Sequence, residues 1–237
     1  MFGWKAKAKA GRAHSAELSG AVDGLLITGQ AGFVAGTHVA SNLGWRAVEA
    51  LSVGDKVLTF DHGMQTIVDI QRETLFAPEN TLPPAQCPLL VPKGAMNNRK
   101  DMWLMPDQGM LMESDAAIDA LGDPFAVVPA RVLKGLKGIR STPPVDQLDI
   151  TTLAFANDEV VYVEGGMLAH CPHPRRILTD SAIIADPLYD VLDTRRARFL
   201  VDCLIDKNDA SPLLCDPEEL VGVVAKRARP ARPLMMS

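Results

Sequence analysis

The densest group of reactive side chains in the sequence is His170-Cys171-Pro172-His173. A tetrahedral zinc site takes four nitrogen or sulfur ligands, usually from two pairs of residues separated by a longer span. The other histidines and cysteines form no second pair, and the prolines favour an extended loop. The sequence therefore predicts no metal and no cofactor. His170, Cys171 and His173 are the weak candidates for metal ligands. A metal-dependent hydrolase built on them stays open as an alternative.

Two other segments hold polar side chains close together. Thr37 and Ser41 flank His38 in a short β-branched run, which is typical of an ordinary strand with a surface or half-buried histidine. Asp107 and Gln108 follow Pro106 between two apolar runs and are placed to line a polar pocket. This favours binding over catalysis, because neither group combines a nucleophile with a base.

The charge distribution limits the classes of partner. The first and last twelve residues hold eight of the 24 basic side chains and no acidic one. Residues 13–225 therefore carry 16 basic against 29 acidic side chains, a net charge of −13, although the whole chain stands at −5. Such a body repels phosphates, so we expect no nucleic acid as partner.

The ends and the apolar runs predict where the protein resides. No run approaches the roughly 18 apolar residues of a membrane helix. The basic start of the chain is followed by the mixed segment 13–20 and not by the apolar stretch of a signal peptide. We therefore expect a soluble, cytoplasmic protein that does not bind membranes. Four cysteines are too few for a disulfide scaffold, and we interpret them as reduced, small buried side chains.

Short strand patterns separated by turn residues dominate the sequence from residue 32 onward. Residues 56–60 and 66–71 flank a tight-turn signal at 61–63 and predict a β-hairpin. Further strands are predicted over 36–41, 159–164 and 167–170. Helices are predicted after the N-cap candidate Ser114, through about residue 121, over 129–137 and over 197–204. Few helices among many short strands indicate an all-β architecture.

The order of these signals resembles the opening of a Hint (hedgehog/intein) domain. The resemblance rests on the Gly-Thr pair at 36–37, on residues 44–51, and on residues 54–63. It continues through 90–95, 101–112 and 159–165 and covers roughly residues 32–170. The sequence most resembles the bacterial Hint domains that occur as short stand-alone proteins. The resemblance implies a mostly β, horseshoe-like domain with one or two short helices.

The same resemblance implies an autoprocessing reaction. In members with intact sites, a cysteine attacks the carbonyl of the residue before it, and a Thr/Ser-x-x-His block supplies hydrogen bonds and a proton. Here the nucleophile position falls on Gly32, and the second block has Met105 and Gln108 where relatives have the hydroxyl and the histidine. A later block has Thr152 and Asp158 at the aligned places.

The sequence thus predicts a degenerate autoprocessing domain. We expect a basic tail over 1–31, a Hint-like domain over 32–205 and a C-terminal extension over 206–237. The retained role is binding or structural, with a protein or peptide in the former cleft as the candidate partner. The candidate cleft residues are Gly32, Thr37, Met105, Asp107 and Gln108. The alternative is active self-cleavage through a non-standard nucleophile.

Overall fold

The computed structural model describes residues 21–22, 25–26, 31–75, 82, 86–115, 117–118, 122–144, 147–173, 189 and 191–215. Within these ranges the chain is mostly β, as the sequence predicts. In chain order, the strands are β1 (Ala21–Val22), β2 (Leu25–Leu26), β3 (Phe33–Val34), β4 (His38–Ser41), β5 (Gly44–Ala47), β6 (Lys56–Thr59), β7 (Gly63–Thr66), β8 (Asp69–Leu75), β9 (Leu89–Val91), β10 (Met102–Leu104), β11 (Gly109–Glu113), β12 (Phe125–Pro129), β13 (Arg140–Ser141), β14 (Leu148–Ala154), β15 (Glu159–Val163) and β16 (Met167–Cys171).

Two antiparallel sheets make up the body. The first sheet has the order β13-β9-β10-β3-β14-β8, and the second has β12-β11-β16-β15-β4-β6-β7, with β5 paired to β4. The longest ladder joins β8 to β14 in seven residue pairs. The main apolar cluster takes side chains from both sheets, such as Leu104 from the first and Val161 from the second. The core therefore lies between the sheets, as in other two-layer β architectures.

The centre of the second sheet is covered on both sides. Every residue of β15 and β16 is buried. Successive strand residues point to opposite faces, so Val161 and Val163 enter the main core while Val160 and Tyr162 enter a second cluster on the outer face. A run such as Val-Val-Tyr-Val is the pattern expected for a strand without a solvent face.

The predicted hairpin at residues 56–71 forms, but its second strand begins three residues earlier than expected. β6 pairs with β7, and Thr59 lies opposite Gly63, which has a φ of +65° that suits glycine in the turn. Residues 69–71 belong instead to β8, which leaves the hairpin and pairs with β14 in the first sheet. The buried Ile67 lies where the chain passes between the sheets, so the run predicted as one strand is two.

One α-helix, α1 (Thr194–Lys207), follows the last strand of the described ranges. It contains the predicted segment 197–204 and is longer at both ends, because Asp193 caps the N-terminus and Asn208, with a φ of +49°, ends the helix. Its buried residues are Ala197, Leu200, Val201 and Leu204. Residues 115, 117 and 118 are helical, and the predicted helix at 129–137 is two short 3-10 turns, Ala130–Leu133 and Leu136–Gly138. Among the described residues, no helix is long and apolar enough to cross a membrane.

Candidate functional site

Gly32 lies directly before β3, between the neighbouring strands β10 and β14. Its φ is +122°, a conformation that side-chain-bearing residues rarely adopt. A Cβ atom placed on Gly32 would lie 2.7 Å from Ile150 Cγ2, 3.0 Å from Thr152 Oγ1 and 3.3 Å from the Thr151 carbonyl oxygen. The space next to the Gly32 backbone is therefore already filled by β14.

Gln108 is buried beside this glycine, and its side-chain amide both accepts and donates hydrogen bonds. The Gly32 N–H donates to Gln108 Oε1 at 3.0 Å. Gln108 Nε2 donates to the carbonyl oxygens of His170 at 2.8 Å and Gly109 at 3.1 Å. The partners on both sides fix the orientation of the amide, because only its oxygen accepts and only its nitrogen donates.

This arrangement explains why residues 76 positions apart meet. Gln108 ends the turn that connects β10 of the first sheet to β11 of the second, and its N–H donates to the Met105 carbonyl oxygen at 3.1 Å. Gly32 leads into the first sheet and His170 belongs to the second, so the Gln108 side chain joins the two sheets. Sequence reasoning placed Gly32 and Gln108 in one site but missed His170 as the third member.

The other predicted cleft residues divide between core and rim. Met105 is 1% exposed and packs with Val34 and Ile150 in a small apolar cluster. Asp107 is half-buried and pairs with the Arg131 guanidinium at the surface. Thr37 is buried in the turn after β3, where its hydrogen bonds join the backbone of Val34 and Val48 and not the Gly32–Gln108 pair.

The later block behaves differently at its two positions. Thr152 lies on β14 with its hydroxyl beside Gly32, so one of the two aligned residues of this block lies next to the site. Asp158 lies directly before β15, where its carboxylate accepts the His173 N–H at 2.6 Å. Thr152 thus supplies the one hydroxyl among the three atoms nearest to a Cβ position on Gly32.

The predicted strand 167–170 forms and extends one residue further, through Cys171, so the loop expected over 170–173 begins later than predicted. His170 and Cys171 are consecutive residues of β16 and point to opposite faces of the sheet. The His170 and Tyr189 rings meet edge to face, with centroids 5.5 Å apart, while Cys171 enters the main core. The His173 ring contacts the Phe155 carbonyl oxygen at 3.3 Å. In the described part of the chain, no group of three or more His, Cys, Asp or Glu side chains could hold a metal ion.

Burial also sets the protonation of His170 and Cys171. It lowers the pKa of His170 to about 4, and the nearby Asp158 carboxylate only partly opposes this effect. Burial raises the pKa of the Cys171 thiol, and the Glu159 carboxylate raises it further. At neutral pH the imidazole is therefore neutral and the thiol is not a thiolate, which is the form that attacks carbonyls and binds metals. His170 Nε2 is buried without a hydrogen-bond partner among the described residues.

The cysteines do not share one environment. All four cysteines lie in the described ranges and are free thiols: Cys87 and Cys171 are buried, Cys215 is half-buried and Cys203 is exposed on α1. The four thiols are free, as expected, but the expectation of burial is wrong for Cys203 and holds only in part for Cys215. An apolar helix face predicts burial only for residues on that face, and Cys203 lies off it.

Comparison with known proteins gives a family and several structural likenesses. Residues 31–169 match the model of the Hint domain family. A bacterial intein-like domain from Clostridium thermocellum is 14% identical, with a TM-score of 0.43, over 59% of this chain and 98% of that one. A splice-inactive variant of the AceL NrdHF split intein is 14% identical, with a TM-score of 0.41, over 61% of this chain and 99% of the other. None of the curated proteins compared with the chain matches it.

Proposed function

We propose that this chain, which belongs to the Hint domain family, does not cleave its own backbone and that its former catalytic centre is a structural joint between the two sheets. Self-cleavage in the family begins with a side-chain nucleophile on the residue after the scissile bond. Gly32 has no side chain, and Ile150 and Thr152 occupy the space that one would need. The observation that carries the proposal is the hydrogen bond from the Gly32 N–H to Gln108 Oε1, at 3.0 Å in a buried environment.

The acid–base half of the reaction lacks its group as well. A glutamine amide has no proton that titrates near neutral pH, so Gln108 holds the backbone but does not protonate a leaving amine. Asp107, the adjacent ionisable side chain, is paired with Arg131 at the rim. Met105, at the place of the family hydroxyl, adds to apolar packing. Each former catalytic position thus has a packing or hydrogen-bonding role.

A structural role also accounts for the filled cleft better than peptide binding does. Gly32, Thr37, Met105 and Gln108 are buried by the protein's own atoms. Among the candidate cleft residues, Asp107 keeps substantial exposure, 39% of its side chain. A bound peptide would therefore meet the Asp107–Arg131 rim and not the former catalytic interior.

The rival function is self-cleavage through a different nucleophile, and one observation favours it. The Thr152 hydroxyl lies beside Gly32, so its attack on the carbonyl that precedes Gly32 would form an ester, break the amide bond to the Gly32 nitrogen and leave that nitrogen as an amine that takes up the hydroxyl proton. Neither Gln108 nor Met105 supplies a base for this attack.

The intact mass of the purified full chain separates the two functions. We expect a single 25.5 kDa species after prolonged incubation at neutral pH, with or without hydroxylamine, which cleaves esters and thioesters. Loss of residues 1–31 would contradict the proposal, and its suppression in Thr152→Ala would assign the reaction to the threonine. Cleavage that persists in Thr152→Ala would also contradict the proposal and would exclude Thr152 as the nucleophile.

A further inference from the structure

The solvent-exposed face of α1 carries a stripe of one aromatic and three charged side chains. Arg195, Phe199, Asp202 and Asp206 are spaced by four, three and four residues, so they form one stripe along the helix. The stripe lies opposite the buried residues of α1, and all four members are exposed. Phe199 is 70% exposed, the highest fraction of any aromatic side chain in the described ranges.

The charges of this stripe are separated along the helix. The N-terminal half carries an arginine and the C-terminal half carries two aspartates, with Phe199 near the middle. A positive N-terminal half opposes the helix dipole, so the order does not stabilise an isolated helix. Asp202 is paired with Arg198 at 3.4 Å on the same helix. Arg195 and Asp206 form no salt bridge with another residue of the described ranges.

We propose that α1 is a self-association surface on which a second copy of this chain docks, with the two helices antiparallel. A twofold axis between residues 200 and 201 places Arg195 of each copy opposite Asp206 of the other, because the two positions are equally distant from the axis. By the same rule, Phe199 of each copy lies opposite Asp202 of the other, and the two Phe199 side chains lie on either side of the axis, about 4.5 Å apart along the helix and near enough for their rings to contact. The interface is isologous: the same stripe serves both copies.

The composition of the stripe matches what such an interface needs. An aromatic side chain at the centre contributes most of the apolar contact, and charged pairs at the rim set orientation more than affinity. In a parallel arrangement Arg195 would face Arg195 and Asp206 would face Asp206, so the charges select the antiparallel one. One helix from each copy buries less than the roughly 1,200 Å² of a standard interface, and association is therefore weak and concentration-dependent.

Sedimentation velocity of the full chain over a wide concentration range tests the proposal. We expect the apparent mass to rise from 25.5 kDa towards twice that value, and the rise to diminish at high salt. Phe199→Ala and Arg195→Glu should each raise the dissociation constant about ten-fold. Arg140→Glu is the matched control, since it makes the same charge change at another exposed arginine on β13.

The charge exchange supplies the decisive comparison. Asp206→Arg alone should weaken association as Arg195→Glu does, and the double variant Arg195→Glu/Asp206→Arg should restore it, because each new glutamate then faces a new arginine. Exposed Cys203 provides a second readout, since a short bismaleimide should link two copies in the wild type and not in Phe199→Ala. A monomer at every concentration, or a dimer that is insensitive to these changes, would overturn the proposal.

Discussion

A single glycine shows how packing and chemistry are connected at the residue scale. Gly32 has both a positive φ and a crowded Cβ position, whereas Gly54 has a φ of +95° with nothing within 4 Å of its Cβ position. A substitution at Gly54 thus measures the cost of backbone strain alone, whereas one at Gly32 measures strain and steric contact together.

Gly32→Ala should cost more stability than Gly54→Ala. Strain at a positive φ costs about 1–3 kcal/mol at either site. Overpacking against Ile150 and Thr152 adds about 1–3 kcal/mol at Gly32 alone. Urea unfolding of both variants measures the difference. Equal losses would show that β14 yields easily and that a nucleophile could be accommodated at Gly32.

His170 predicts the pH dependence of stability. Its pKa is lowered from 6.5 in the unfolded chain to about 4 in the fold, so the folded state favours the neutral ring. The stability that the buried, neutral His170 ring contributes is fully present above pH 6.5, where the unfolded chain also holds a neutral ring. It is lost as the pH falls from 6.5 towards 4, because only the unfolded chain then binds the proton, and it changes no further below pH 4. The shift corresponds to about 3 kcal/mol.

The variant His170→Leu isolates this contribution from that of the carboxylates. Leucine is apolar and cannot be protonated, so the difference in unfolding free energy between wild type and variant should vary with pH between 6.5 and 4. Unfolding titrations at several pH values measure it. A pH-independent difference would mean that folding leaves the pKa of His170 unchanged.

At the scale of elements, α1 is attached to the body by one face only. Leu200 is 4% exposed in the main core, and its neighbour Phe199 points outwards. Leu200→Ala should cost about 2–5 kcal/mol, while Phe199→Ala should change stability by less than about 0.5 kcal/mol. Thermal or urea unfolding of dilute protein compares them. Similar losses would indicate that the outward face of α1 is packed within one copy.

Two elements show what the sequence predicts and what it does not. The turn at 61–63 is predicted because its aspartate and glycine favour a turn through local interactions alone. The division of residues 63–75 between two sheets is not predicted, because β8 pairs with β14, more than 70 residues away. The strand predicted over 167–170 forms, but the adjacent prolines hide its extension through Cys171, which depends on pairing with Glu159 of β15.

At the scale of the molecule, the candidate site around Gly32 and Gln108 lies where the two sheets are joined. The resemblance predicts that these two residues share one site, because the order of the motifs along the chain matches that of the family. It does not predict that Gln108 bonds simultaneously to Gly32 and to the His170 carbonyl oxygen, since His170 lies 62 positions further along and only the fold brings it near. The same amide that cannot transfer a proton satisfies three buried backbone groups.

The unfolding free energy of Gln108→Ala, compared with wild type, measures how much the Gln108 amide contributes to joining the two sheets. Removing the amide deletes its hydrogen bonds to the Gly32 N–H and to the carbonyl oxygens of His170 and Gly109. Each buried backbone group left unsatisfied costs about 1–3 kcal/mol. If the amide joins the sheets, urea unfolding shows a loss of about 3 kcal/mol or more, with the fold retained. A loss below about 0.5 kcal/mol, the range of ordinary surface substitutions, would contradict it.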